Sequence, residues 1–136
     1  MARTDNMRQQ HKDLAGIVVE IEGKLNALPG EADNIRRLLS TLAGKLSVHL
    51  AVEDKNLYPA MIGSANAEAK KTAEDFQNEM GALGGAFKDY TRKWPSAQKI
   101  QENTAEFSTE TKSVFQALKQ RIEREENTLY PLADTI

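Results

Sequence analysis

The chain has 136 residues, no cysteine, two histidines and a net charge of −2, with 40% hydrophobic and 28% charged residues. That length suits one domain spanning 1–136, large enough to bury a core without cross-links. The composition excludes disulfides, thiolate zinc sites and iron–sulfur clusters, and it offers no basic field for nucleic acid or an anionic membrane.

Gly and Pro punctuate the chain at Pro29-Gly30, at Pro59 with Gly63-Ser64, at Trp94-Pro95-Ser96 and at Pro131, and each reads as a helix break. The first segment, about Met7 to Leu28, carries Leu14, Ile17, Val18, Ile21, Leu25 and Leu28 at three- and four-residue steps, the period of an amphipathic helix. The second, about Glu31 to Tyr58, carries Ile35, Leu38, Leu39, Leu42, Leu46, Leu50 and Leu57. The third, about Asn66 to Lys93, carries Phe76, Met80, Leu83, Phe87 and Tyr90. The fourth, about Ser96 to Tyr130, carries Ile100, Phe107, Val114, Phe115, Leu118, Ile122 and Leu129. No segment alternates with period two, so no sheet is expected. Four amphipathic helices with short connections predict an all-α, up-down-up-down antiparallel four-helix bundle.

Two stretches repeat one another. Glu53-Asp54-Lys55-Asn56-Leu57-Tyr58-Pro59 and Glu125-Glu126-Asn127-Thr128-Leu129-Tyr130-Pro131 each read Glu, acid, two residues, Leu-Tyr-Pro. The same register takes His49 to Arg121. One helix earlier, His11-Lys12-Asp13-Leu14 matches Met80-Gly81-Ala82-Leu83 more weakly. Each half is then a helix pair, the first offering His11, His49 and Glu53, the second Met80, Arg121 and Glu125. Leu42, Leu46, His49, Glu53 and Leu57 share one helix stripe, as do Leu118, Ile122, Glu125 and Leu129, with Arg121 at its border. Unpaired carboxylates facing a core cost several kcal/mol, so Glu53 and Glu125 require protons, a cationic partner or a metal ion. A His and a Glu four residues apart reach one ion, and repeating that pair on an antiparallel helix builds a metal site in a bundle.

These residues give the chain a resemblance to the hemerythrin-like (HHE cation-binding) family, over about Gln10 to Ala133. His11, His49-x3-Glu53 with Leu57-Tyr58-Pro59, and Glu125-Glu126 with Leu129-Tyr130-Pro131 match its motifs. The resemblance implies a non-heme di-iron centre for oxygen binding, redox sensing or iron handling. Met80 and Arg121 stand where the family has histidines. The retained ligands are His11, His49, Glu53 and Glu125, with Glu79, beside Met80, a candidate substitute. A thioether is a poor ligand for hard iron, and a guanidinium does not ligate metals.

Two readings follow. In the first, one metal ion is held by the surviving ligands; the resemblance points to iron, and zinc or manganese suits the same donors. In the second, no metal is bound and Arg121 pairs with Glu53 or Glu125, leaving a helical interaction or sensor module. Enzyme activity and oligomeric state stay open. Tyr58 and Tyr130 read as helix-end packing with wet hydroxyls, and Glu123-Arg124-Glu125-Glu126 as a solvated surface by charge alternation alone. Three glycines in the third segment, Gly81, Gly84 and Gly85, cost about 1 kcal/mol each against Ala; close helix approach or a small-molecule pocket would explain them. No phosphate loop or dinucleotide fingerprint is present. No apolar run approaches the roughly 20 residues of a membrane span, and the polar start lacks a signal core; with the missing cysteines this predicts a soluble cytoplasmic protein.

Overall fold

The computed structural model describes residues 2–136, apart from the side chain of Met80. The described residues are helical and contain no strand. Helix α1 (Asp5–Lys24) runs into a 3-10 turn, Leu25–Ala27, and is followed by α2 (Ala32–Val52). A π-helical turn, Glu53–Leu57, joins α2 to the short α3 (Tyr58–Ile62). Then come α4 (Ala67–Lys93), α5 (Ala97–Glu102) and α6 (Thr104–Arg124). A second π-helical turn, Glu125–Leu129, leads into α7 (Tyr130–Ala133). Helix α1 packs on α2 and α6, and α4 packs on the same two, which is the expected four-helix bundle.

The caps account for several boundaries. Asn66 Oδ1 accepts from the Glu68 and Ala69 amides at 3.0 and 3.1 Å and starts α4. Ser96 Oγ accepts from the Lys99 amide at 3.2 Å and starts α5; each side chain takes up donors the helix start leaves free. The fourth segment is not continuous. It breaks at Asn103, whose backbone (φ −141°, ψ 50°) leaves the helix while its side-chain amide donates to the Lys99 carbonyl. That corner lets Ile100 bury completely.

Pro59 and Pro131 do not end their helices. A proline has no N–H and its ring crowds the carbonyl four residues back. Here the preceding turn widens instead: the Tyr58 N–H bonds to the Glu53 carbonyl and the Tyr130 N–H to the Glu125 carbonyl, five residues apart. The helices continue past the prolines to Ile62 and Ala133.

Two apolar clusters form the core. The larger holds Leu14, Ile21, Leu39, Leu42, Trp94 and Phe115 among others. The smaller gathers Met7, Leu57, Met61, Phe76 and Leu129 where α1, α4 and the two Leu-Tyr-Pro stretches meet. His11, His49, Glu53, Arg121 and Glu125 are buried, and along α1, α2 and α6 they fall between residues of the two clusters.

Candidate metal centre

Each site residue is delivered by the helical period. His11 lies between Met7 and Leu14 on α1. His49 and Glu53 lie between Leu46 and Leu57, and Glu125 between Leu118 and Leu129. His11 and His49 are 2% and 1% exposed, and Glu53 and Glu125 are wholly buried. One ligand atom from each of the four lies within 4.8 Å of every other. His11 Nε2 stands 3.1 Å from His49 Nε2 and 2.8 Å from Glu125 Oε1. His49 Nε2 stands 3.5 Å from Glu53 Oε2 and from Glu125 Oε1.

The outer nitrogens of both rings are engaged. His11 Nδ1 donates to Glu126 Oε1 at 2.8 Å, and His49 Nδ1 donates to the side-chain carbonyl of Gln10 at 2.7 Å. Arg8 holds the other oxygen of Glu126. These partners fix each ring with Nε2 facing the centre, as outer hydrogen bonds do for metal-ligating histidines. Two imidazole lone pairs and two carboxylates then converge. Protons or a metal ion must lie among them, because acceptors cannot face one another so closely unaided.

The carboxylates differ in the metal-free protein. Burial, then the charge of Glu125, pushes the Glu53 carboxyl up to about 10. Burial alone would raise Glu125 as well. The His11 and His49 rings close beside it, and the neighbouring Glu53 carboxyl, outweigh burial and hold Glu125 below the ordinary carboxylate range. One carboxylate therefore keeps a proton while its neighbour stays ionised, as two acids sharing one centre must. Glu53 Oε1 and Glu125 Oε2 are buried and have no hydrogen-bond partner.

Glu79 does not join the cluster. It is 45% exposed and accepts from Arg121 Nη1 at 2.8 Å and from Arg124. Arg121 is 5% exposed, yet its hydrogen bonds go to Glu79 and, through Nη2 at 2.7 Å, to the Phe76 carbonyl. The expected bidentate pairing of Arg121 with Glu53 or Glu125 is not formed. The Phe76 ring 4.0 Å from the guanidinium carbon and the acid on α4 draw the fork away from the two glutamates. Met80, the other replaced-ligand position, has its side chain outside the described residues.

The surroundings of Tyr130, Tyr58, Glu126 and Gln10 differ from what the sequence suggests or go beyond it. Tyr130 and Tyr58 are not wet: they are 0% and 1% exposed, and the Tyr130 hydroxyl donates to Glu53 Oε2 at 2.8 Å. Burial and the adjacent carboxylates push both phenols up. Glu126 is half-buried against His11 rather than solvated, and Gln10 orients His49. The acid after each repeated Glu was the available signal for Glu126; Gln10 carried none beyond lying next to His11. The glycines of α4 are not demanded by close packing. A Cβ at Gly81 or Gly85 would meet nothing within 4 Å, and one at Gly84 would make ordinary contact with Leu50 at 3.5 Å. A cleft of about 730 Å³ opens between α2 and α4, lined by Ala43, Leu46, Leu50, Gly81, Gly84 and Phe87.

Two imidazoles and two carboxylates converging inside a four-helix bundle form a cluster that could hold a metal ion. More narrowly, the chain belongs to the hemerythrin family: the model of the Hemerythrin HHE cation binding domain matches residues 2–133. The same comparisons find no match among curated proteins or solved structures. The donor set suits a metal ion. Ligand atoms about 2.0–2.2 Å from one ion stand about 3–4.4 Å apart, the scale of this cluster, and nitrogen with carboxylate oxygen suits iron, zinc or manganese. No helix is long and apolar enough to cross a membrane.

Proposed function

We propose that the protein binds one metal ion per chain, iron by its family, through His11, His49, Glu53 and Glu125, and serves redox sensing or metal handling. The observation that carries this reading is the convergence of four buried acceptor groups with both histidines turned inward by Gln10 and Glu126. The second half of the repeat supports a single ion. Arg121 brings a permanent positive charge to the position of a ligand, and a guanidinium beside a second cation would repel it. Glu79, beside Met80 in sequence, is bound to Arg121 and Arg124 instead. The metal would supply a Lewis acid or redox centre. The chain's residues hold it, exclude bulk water and orient the imidazoles.

The test is metal content and thermal midpoint of tag-free protein, with and without a chelator. One ion per chain, with a midpoint that falls on chelation, supports the reading. Two ions per chain would overturn the single-ion assignment. Protein that takes up no iron, zinc or manganese, with a midpoint unmoved by any of them, would overturn metal binding altogether.

A further inference from the structure

The Leu-Tyr-Pro ending of the second repeat carries a phenol into the centre. Five residues of α-helix turn through about 500°, which would leave Tyr130 about 140° around the axis from Glu125. The π-helical turn Glu125–Leu129 closes five residues in roughly one turn, so the two side chains reach the same interior region. Such turns occur often at functional sites. The Tyr130 hydroxyl lies 2.8 Å from Glu53 Oε2, 3.1 Å from His11 Nε2 and 3.4 Å from His49 Nε2. Its oxygen is thus within hydrogen-bond reach of three of the four groups that would hold the ion. The ring lies against the His11 ring, with centroids 5.1 Å apart and planes 17° apart. The Arg8 guanidinium carbon is 5.3 Å from the ring centroid.

We propose that Tyr130 is a fifth protein ligand, its phenolate oxygen bonding a ferric ion held by His11, His49, Glu53 and Glu125. This rests on the single-ion reading above. On loading, the Tyr130 O–H bond and the Glu53 carboxyl O–H bond break, oxygen lone pairs form the bonds to iron as nitrilotriacetate leaves it, and both protons go to solvent. Iron stays ferric throughout, so no oxidant or reductant is needed. Charge supports the assignment. Two carboxylates and one phenolate supply three negative charges, which balance a trivalent ion and leave a divalent one short. A phenolate is also a hard oxygen donor, matched to iron(III) rather than to softer ions. Without the ion the phenol stays neutral and serves as the hydrogen-bond donor that positions Glu53.

The experiment loads tag-free protein with iron(III) from its nitrilotriacetate complex, removes excess, and measures iron content and the visible spectrum together. One iron per chain with an intense phenolate-to-iron charge-transfer band is expected, with phenolate ring modes in resonance Raman excited in that band. Tyr130→Phe should abolish the band, whether it keeps the iron or binds it more weakly. Tyr58→Phe, at the equivalent position of the first repeat, should retain it. Bound iron without the band, a band without phenolate modes, or a band that survives in Tyr130→Phe overturns the ligand assignment and leaves the single-ion reading standing. Failure of wild-type protein to bind any iron overturns the ligand assignment and the choice of iron, and the single-ion reading falls with it only if zinc and manganese are refused as well.

Discussion

Replacing Arg121 tests how the second half of the bundle is held together without a full ligand set. Its guanidinium makes three contacts. The stack on Phe76 at 4.0 Å is worth about 1–2 kcal/mol in a largely desolvated place. The charged hydrogen bond to the Phe76 carbonyl adds about 1.5–3 kcal/mol. The pair with Glu79 contributes at most about 1 kcal/mol, since Glu79 is nearly half exposed and keeps Arg124. Against these stands the cost of desolvating the cation, which any replacement recovers. Arg121→Ala should therefore destabilise the metal-free protein by about 3 kcal/mol, or about 10 °C in midpoint for a chain of this size. Arg121→Met restores the packing of the stem and should recover about half of that. Urea melts in the presence of chelator provide the measurement. In parallel, Arg121→Met should bind a divalent ion more tightly than wild type, because a neighbouring like charge is gone. A loss below about 1 kcal/mol for Arg121→Ala, or weaker metal binding in Arg121→Met, would refute the description of Arg121 as a fixed cation that braces α6 against α4 and repels a second ion.

Three further outcomes are expected. In metal-free protein the raised Glu53 carboxyl binds a proton up to about pH 10 that the unfolded chain releases near 4.5; the folded state is the more protonated across that window, so stability should fall as pH rises through it, whereas saturating metal should flatten the slope, as midpoints recorded against pH will show. Glu126→Ala removes the acceptor that fixes the His11 tautomer and should weaken metal affinity about 10–100-fold with the helical spectrum retained; unchanged affinity by competition with a chromophoric chelator would remove Glu126 from the site. Gly81→Ala and Gly85→Ala should each stabilise the fold by about 0.5–1 kcal/mol, since an added methyl meets nothing and helix-interior glycine is costly; destabilisation in denaturant melts would show that α4 needs those glycines.

Much of this was legible because helix periodicity is geometric. The steps Leu46, His49, Glu53, Leu57 and Leu118, Glu125, Leu129 dictate a shared face, and all seven residues are buried. What was not legible depends on departures from ideal geometry or on partners from other helices. At 100° per residue Tyr58 and Tyr130 fall off the faces of Glu53 and Glu125, so a sequence reading leaves them at wet helix ends. The wider turns before Pro59 and Pro131 bring them inside. The proline rule correctly locates a lost N–H but does not say whether the helix stops or widens. The helical period places Arg121 inward, and the residue is buried. Its partner, however, is settled by Phe76 and Glu79 on α4, whose distance from the guanidinium no spacing rule gives. Glu126 looked solvated because its own helix alternates charge; the acceptor role arises from His11 and Arg8 on α1.

The repeat explains why the two glutamates, alike in sequence, behave differently. Glu53 and Glu125 occupy equivalent helical positions, each opening a π-helical turn, and both are wholly buried. The residue four positions earlier differs: His49 before Glu53 and Arg121 before Glu125. His11 turns Nε2 toward Glu125 Oε1 at 2.8 Å and His49 Nε2 lies equally near both carboxylates, whereas Arg121 turns away to α4. Glu125 thus has the closer imidazole and stays ionised, while Glu53, facing Glu125 and the Tyr130 hydroxyl, keeps its proton. A pair of carboxylates that carries one negative charge before an ion arrives is less costly to bury than a doubly ionised pair. The Glu53 proton is then what an ion must displace. On this argument the loss of the second histidine pair leaves an asymmetric centre, with one carboxylate charged in advance and the other released only when a cation enters.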